Sequence, residues 1–303
     1  MSAPWTKRVK RGLRHVAIRL VLAVVAGLPL EVASDFGRAL GTLAFRLLGK
    51  QRRLALEGLR SAFPGMPEVE RGALARACFR HLGQSAFELA CVKQLERDAA
   101  RHLEWPAEDR AVLQAALAEG RGVLFVTGHV GNWELLARTV ARSGMVACST
   151  IAKETTDART TALLERFRGS AGIRTIWRGS DGAARAMLRA LRGGELLGLL
   201  IDQDTRVQSV FVPFFGVPAS TPRAAADLAL RTGAAVVTGY CHRVGEDTRY
   251  RVSMRRLQLP LPSGDREADA VAWTAAMTAD IERAIREAPA QWVWMHRRWK
   301  TRP

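Results

Sequence analysis

Residues 122–140 read GVLFVTGHVGNWELLARTV, and no other stretch of this sequence restricts the fold so tightly. Val123 to Thr127 is a short apolar run with the composition of a buried strand. Gly128 to Asn132 forms a turn, whose two glycines permit tight or left-handed backbone. Trp133 to Val140 has helical composition, and Asn132 is a good N-cap. His129 and Glu134 stand at this strand-to-helix corner. On one regular helix, two residues five apart would lie roughly 140° from each other. They meet only if His129 is on the turn and Glu134 in the first helical turn, which is where the glycines and Asn132 put the break.

A carboxylate beside an imidazole has an obvious use. Glu134 would accept a hydrogen bond from one ring nitrogen, leaving the other to take a proton from a hydroxyl. No Ser or Cys nucleophile sits beside the pair, so the hydroxyl would belong to a substrate. The plainer alternative is a structural histidine followed by a glutamate that the helix dipole favours at a helix start.

Strand patterns recur down the chain. Val146 to Lys153, Leu196 to Ile201, Ala234 to Tyr240 and Tyr250 to Leu259 read as strands. Asp157 to Arg168, Ser180 to Leu191, Pro222 to Arg231 and Ala268 to Glu287 read as helices. The alternation predicts an α/β fold: a mixed, largely parallel central sheet flanked by helices. Leu196 to Ile201 runs directly into Asp202, Gln203 and Asp204, and polar groups at the carboxyl end of a buried strand are where open α/β sheets place binding sites. Two neighbouring acids also suggest a metal site, but no third carboxylate is near in sequence, and no metal is expected. Val210 to Phe215 is apolar and aromatic, suited either to a pocket for a fatty chain or to a core strand.

The N-terminus is a different kind of segment. Met1 to Arg19 is basic, Leu20 to Leu30 is apolar, and Phe36, Leu40, Leu43 and Leu47 share one face of a following helix. The apolar run is shorter than the roughly 20 residues that span a bilayer. A secretory leader is disfavoured because Glu31 stands where the cleavage site needs a small residue. The expectation is a membrane-associating helical segment over residues 1–50, lying in or crossing the interface, ahead of a catalytic domain over 51–303.

The formal net charge of +17 over 303 residues suits an acidic partner: nucleic acid, anionic lipid or an acidic carrier protein. The four cysteines show no ligand spacing. The tail PAQWVWMHRRWKTRP sets three tryptophans among basic residues, read alone as a base-stacking platform or an interfacial belt. His296, between Met295 and Arg297, is expected to be structural.

Several of these stretches resemble one family. GHVGNWELL is similar to the H-x-x-x-x-[DE] motif of the glycerolipid and lysophospholipid acyltransferases. Its GNWE form resembles the branch that makes bacterial lipid A, the late acyltransferases acting on Kdo-lipid A. RRLALEGLRSAFPGMPEVE, ERFRGSAG, LIDQD with VFVPFFGVPASTP, and the tryptophan-rich tail resemble further signatures of that branch, so the likeness runs from about Gln51 to Pro303. It departs at Glu57, where the branch usually has Asn, and at Thr205 and Arg206, where a glycine often follows the DQD.

The resemblance implies that His129 is the general base and Glu134 orients it. It implies substrate contacts at Asn132, Arg168, Asp202, Gln203, Asp204, Phe214 and Phe215, with Arg168 helping to hold a phosphorylated sugar lipid. The implied reaction moves a fatty acyl group from a thioester, on acyl carrier protein or CoA, to a hydroxyl of a lipid A precursor or related glycolipid. No cofactor beyond that thioester co-substrate is implied. Membrane lipids would be partners, nucleic acid would not, and the setting would be the cytoplasmic side of the inner membrane. The alternatives are acylation of a lysophospholipid, a phosphatidylinositol mannoside or an amino-acid lipid, and, more remotely, binding of nucleic acid.

Overall fold

The computed structural model describes residues 20–303; the basic stretch Met1 to Arg19 lies outside the described residues. Residues 20–26 are helical and turn into α1 (Leu30–Leu47). There follow α2 (Gly49–Ala62), α3 (Glu68–Ala90), and the short α4 (Val92–Arg97) and α5 (Ala99–His102). The remainder alternates: β1 (Leu103–Glu104), α6 (Ala107–Ala118), β2 (Val123–Thr127), α7 (Trp133–Arg142), β3 (Cys148–Ala152), α8 (Ala158–Gly169), β4 (Ile173–Trp177), α9 (Ala183–Arg192) and β5 (Leu196–Leu200). A hairpin, β6 (Ser209–Phe214) and β7 (Val217–Pro222), precedes α10 (Ala224–Thr232), β8 (Ala235–Arg243), β9 (Tyr250–Arg256) and α11 (Arg266–Glu287).

Among the described residues the main sheet has seven strands in the order β1-β9-β8-β2-β5-β3-β4. Strands β8, β2, β5, β3 and β4 are mutually parallel, and β9 turns back antiparallel on β8. The predicted α/β fold with a mixed, largely parallel sheet is therefore what forms. β2 lies at its centre and is buried along its whole length. Leu124 and Val126 point into one core, with Leu197, Val236 and Ile281. Val123 and Phe125 point into the other, with Leu135, Leu136 and Val237. A strand covered on both faces must be apolar at every position, which explains the unbroken VLFVT.

Helix α1 lies against α3 through small residues: Ala33, Ser34, Gly37 and Gly41 are buried. The opposite face carries the apolar row, with Phe36 56%, Leu40 42%, Leu43 46% and Leu47 71% exposed. No helix of the described residues is long and apolar enough to cross a membrane. Helix α3 ends at Cys91, and α4 begins directly after it.

Candidate active site

Two in-register strands deliver the central pair. In the parallel ladder Thr127 pairs with Leu200, the last residues of β2 and β5. His129 and Asp202 each lie two residues beyond those ends, so they emerge side by side at the carboxyl edge of the sheet. Asp202 Oδ1 is 2.8 Å from His129 Nδ1, and Asp202 Oδ2 accepts the His129 backbone N–H at 2.7 Å. The same oxygen accepts Trp292 Nε1–H at 2.7 Å, from the C-terminal tail. Gly128 permits this approach: a Cβ there would stand 2.9 Å from Ile281 Cγ2 and 3.1 Å from Asp202 Cγ. Gly131 turns the chain with φ of +62°, a left-handed conformation that suits glycine. Asn132 then caps α7, its side-chain oxygen accepting Leu135 N–H at 3.1 Å.

The electrostatics follow from this arrangement. Burial drives the His129 ring towards its neutral form, but the Asp202 carboxylate outweighs burial and lifts the imidazole above its usual pKa. Burial also opposes ionisation of Asp202. The charge and hydrogen bond of His129, with those from Trp292 and the backbone, more than offset it and hold the carboxyl down at about 2. An ionised carboxylate can only accept, so Nδ1 carries the proton and Nε2 is left as the basic nitrogen. The ring is 24% exposed while Asp202 is 1% exposed, so the imidazole reaches solvent and its partner does not.

This corrects the contact expected for Glu134. Its carboxylate is not the group hydrogen-bonded to His129: Arg168 grips it, with Nη2 to Oε1 at 2.5 Å and Nε to Oε2 at 3.1 Å. Glu134 opens α7 and Arg168 ends α8, so the pair ties the two helices at the mouth of the site. Glu134 acts on the imidazole through space, adding to the field that raises its pKa. Arg168 Nη1 is buried without a partner.

A cleft of about 580 Å³ opens here. His129, Glu134, Arg168 and Gln203 line it with Thr150, Ile151 and Leu199. The other residues singled out in the sequence stand elsewhere. Asn132 is buried under the turn as a helix cap. Asp204 anchors the tail, accepting Thr301 N–H at 2.9 Å while its own N–H donates to His296 Nε2 at 3.1 Å. Phe214 and Phe215 do not line the cleft; they are 0% and 6% exposed. The β6–β7 turn places Phe215 at φ of +53°, with its ring 5.2 Å from Phe63 and 5.9 Å from Trp294. Of the two roles open to this stretch, packing is the one Phe214 and Phe215 have. Trp292, Trp294 and Trp299 are buried too, which removes the stacking-platform reading of the tail.

The sequence profile of the bacterial lipid A biosynthesis acyltransferases matches residues 7–301. The chain belongs to this family. It is 30% identical to the lipid A biosynthesis lauroyltransferase of Escherichia coli K12, over 93% of this chain and 90% of that one. It is 29% identical to the lipid A biosynthesis palmitoleoyltransferase of the same organism, with the same coverage. A phosphatidylinositol mannoside acyltransferase of Mycobacterium tuberculosis is 29% identical over 67% of this chain and 62% of its own length. The protein is thus an acyltransferase of the lipid A family.

Two features of this acyltransferase site escaped sequence reasoning. From sequence, Asp202 stands as a substrate contact rather than as the ring's partner, and Trp292 only as part of a motif. A usable signal existed for the first: in VLFVT-Gly-His and LLGLL-Ile-Asp, both residues stand two places past a buried apolar strand.

Proposed function

We propose that the protein transfers a fatty acyl group from a thioester, most simply on acyl carrier protein, to a hydroxyl of a lipid A precursor. His129 Nε2 takes the proton of the acceptor hydroxyl, and the oxygen attacks the thioester carbonyl. Asp202 fixes the ring and stabilises the imidazolium that forms. The tetrahedral intermediate bears a negative oxygen, and the guanidinium of Arg168, a cation lining the cleft, is the donor suited to it. Glu134 holds that guanidinium in place. When the intermediate collapses, the imidazolium returns its proton to the departing thiolate. The thioester is co-substrate, and no cofactor enters.

The observation that carries this reading is the His129–Asp202 pair at the end of a cleft walled by apolar strand residues, in a chain of this family. The net charge of +17 fits both an acidic carrier and a phosphorylated acceptor. The exposed row on α1 supports attachment of residues 1–50 to the cytoplasmic face of the inner membrane, with 51–303 as the catalytic part. A second acceptor class, a phosphatidylinositol mannoside, is favoured by the mycobacterial relatives. The test is purified protein with acyl carrier protein and CoA thioesters against both acceptors, read by product mass. An acyl ester on the lipid A precursor supports the proposal; product only on the other acceptor, or none, overturns it.

A further inference from the structure

A second hollow, of about 810 Å³, lies beside the catalytic cleft. Its walls are Leu22 and Ala26 ahead of α1, Ala86 and Leu89 of α3, and Leu164 and Phe167 of α8. Glu134 is on the wall of both this hollow and the catalytic cleft, so the two lie on either side of its side chain. Helix α8 buries none of its residues completely, although it carries Leu163, Leu164 and Phe167. Leaving three large apolar side chains half-covered forfeits about 25 cal/mol for each Å² not removed from water. An apolar occupant would recover that.

We propose that this hollow receives a fatty chain of the acceptor lipid and so holds that lipid with its reacting hydroxyl at His129. The proposal rests on the acyl-transfer reading above and assigns one of its two apolar chains to a place. The acceptor resides in the bilayer, whereas the donor arrives from water on a soluble carrier. Leu22 and Ala26 wall the hollow, and the same segment exposes Leu20 at 62%, Val21 at 50% and Val24 at 67%. A chain leaving the bilayer at that surface enters the hollow first and meets Glu134, then His129. The cleft beside β3 and β5, rimmed by Lys153, Arg178 and Gln203, is left to the thioester. Arg138 of the hollow's wall is paired with Glu96 at 2.7 Å, and Lys93, Arg97 and Arg142 also stand on that wall, where they suit the phosphorylated head of the lipid whose chain enters.

Filling the hollow separates the two chains. Ala86 is exposed and lines it, so Ala86→Trp adds bulk there without displacing core residues. In full-length protein, with acyl carrier thioester and lipid A precursor, this variant should raise the acceptor KM by about tenfold or more. The donor KM should stay within about twofold, the discrimination expected when one apolar pocket alone is altered. Leu164→Ala, which widens the hollow, should shift preference towards acceptors with longer chains and leave donor chain length alone. This variant decides the matter should Ala86→Trp lose its melting transition. A change in donor KM or donor chain preference, or no change in either substrate, overturns the assignment. Wild-type protein that acylates no lipid alcohol would instead refute the acyl-transfer reading itself.

Discussion

Asp202 accepts hydrogen bonds from both the ring Nδ1 and the backbone N–H of His129, so one carboxylate fixes the imidazole and the turn that carries it. Because that carboxylate lifts the pKa of the ring, activity should have a measurable acid limb. Protonated imidazole accepts no proton, so kcat/KM should rise with pH through an apparent pKa above the ordinary 6.5 of histidine. In Asp202→Asn the lifting charge is gone and burial remains, so the limb should move to lower pH. The rate at neutral pH should fall by about 10²–10⁴-fold, the range of a misdirected general base. Stability has the matching sign. The depressed Asp202 pKa contributes stability above about 3.8 that is lost as pH falls towards about 2. The raised His129 pKa contributes stability that is lost as pH rises through it. A pH–rate profile and a pH series of melting curves, wild type against variant, check both.

The Glu134–Arg168 fork makes a different prediction. If the Arg168 guanidinium meets the developing oxyanion, Arg168→Ala should lower kcat by about 10²–10³-fold with little change in KM. Glu134→Gln should lose less, since the amide still accepts one of the two guanidinium contacts. The double variant should lose little beyond Arg168→Ala alone, because the glutamate works mainly through the arginine and its own field at the ring is weaker than that of Asp202. Steady-state kinetics on the three variants measure this directly. A large KM effect, or simple additivity, would contradict it.

Beneath the turn lies a buried ion pair. Glu88 is 0% exposed and receives both Nη1 and Nη2 of Arg243 at 2.7 Å, with the Tyr250 hydroxyl on the same carboxylate. Ser34 of α1 donates to its other oxygen at 2.5 Å, and Tyr250 lies 3.4 Å from Asn132 Nδ2. Glu88→Ala would strand a guanidinium in the core and should cost about 3–5 kcal/mol of stability. Urea denaturation measures the loss; an unchanged midpoint would contradict it.

The outward row of α1 predicts attachment to lipid. Replacing Phe36 and Leu43 together by Ser should weaken binding to anionic vesicles by about tenfold or more, given about 1.5–3 kcal/mol for burying each side chain fully. Vesicle flotation of wild type and variant reports this. Equal flotation would mean that the row does not touch the bilayer.

The strand, turn and helix around His129 were legible because each obeys a local rule: an unbroken apolar run, a glycine at positive φ and an asparagine cap. The chemical partner was not, because the His129–Asp202 contact spans residues far apart in sequence and depends on the register of β2 with β5. Glu134 was the nearest carboxylate in sequence, and only the position of Arg168 at the end of α8 shows why it is occupied elsewhere. Phe214 and Phe215 were ambiguous for a similar reason. An aromatic pair suits a pocket or a core equally, and the turn at Phe215 and Gly216 decides between them. The reversed direction of β9 also has no local signature, being set by its short connection back to β8.

The central claim is that His129 does the proton transfer. The most direct test is acyl transfer by His129→Ala, measured beside its melting curve. The account predicts a rate lower by about 10²–10⁴-fold with a cooperative melt retained. Undiminished transfer by a folded His129→Ala protein would contradict it.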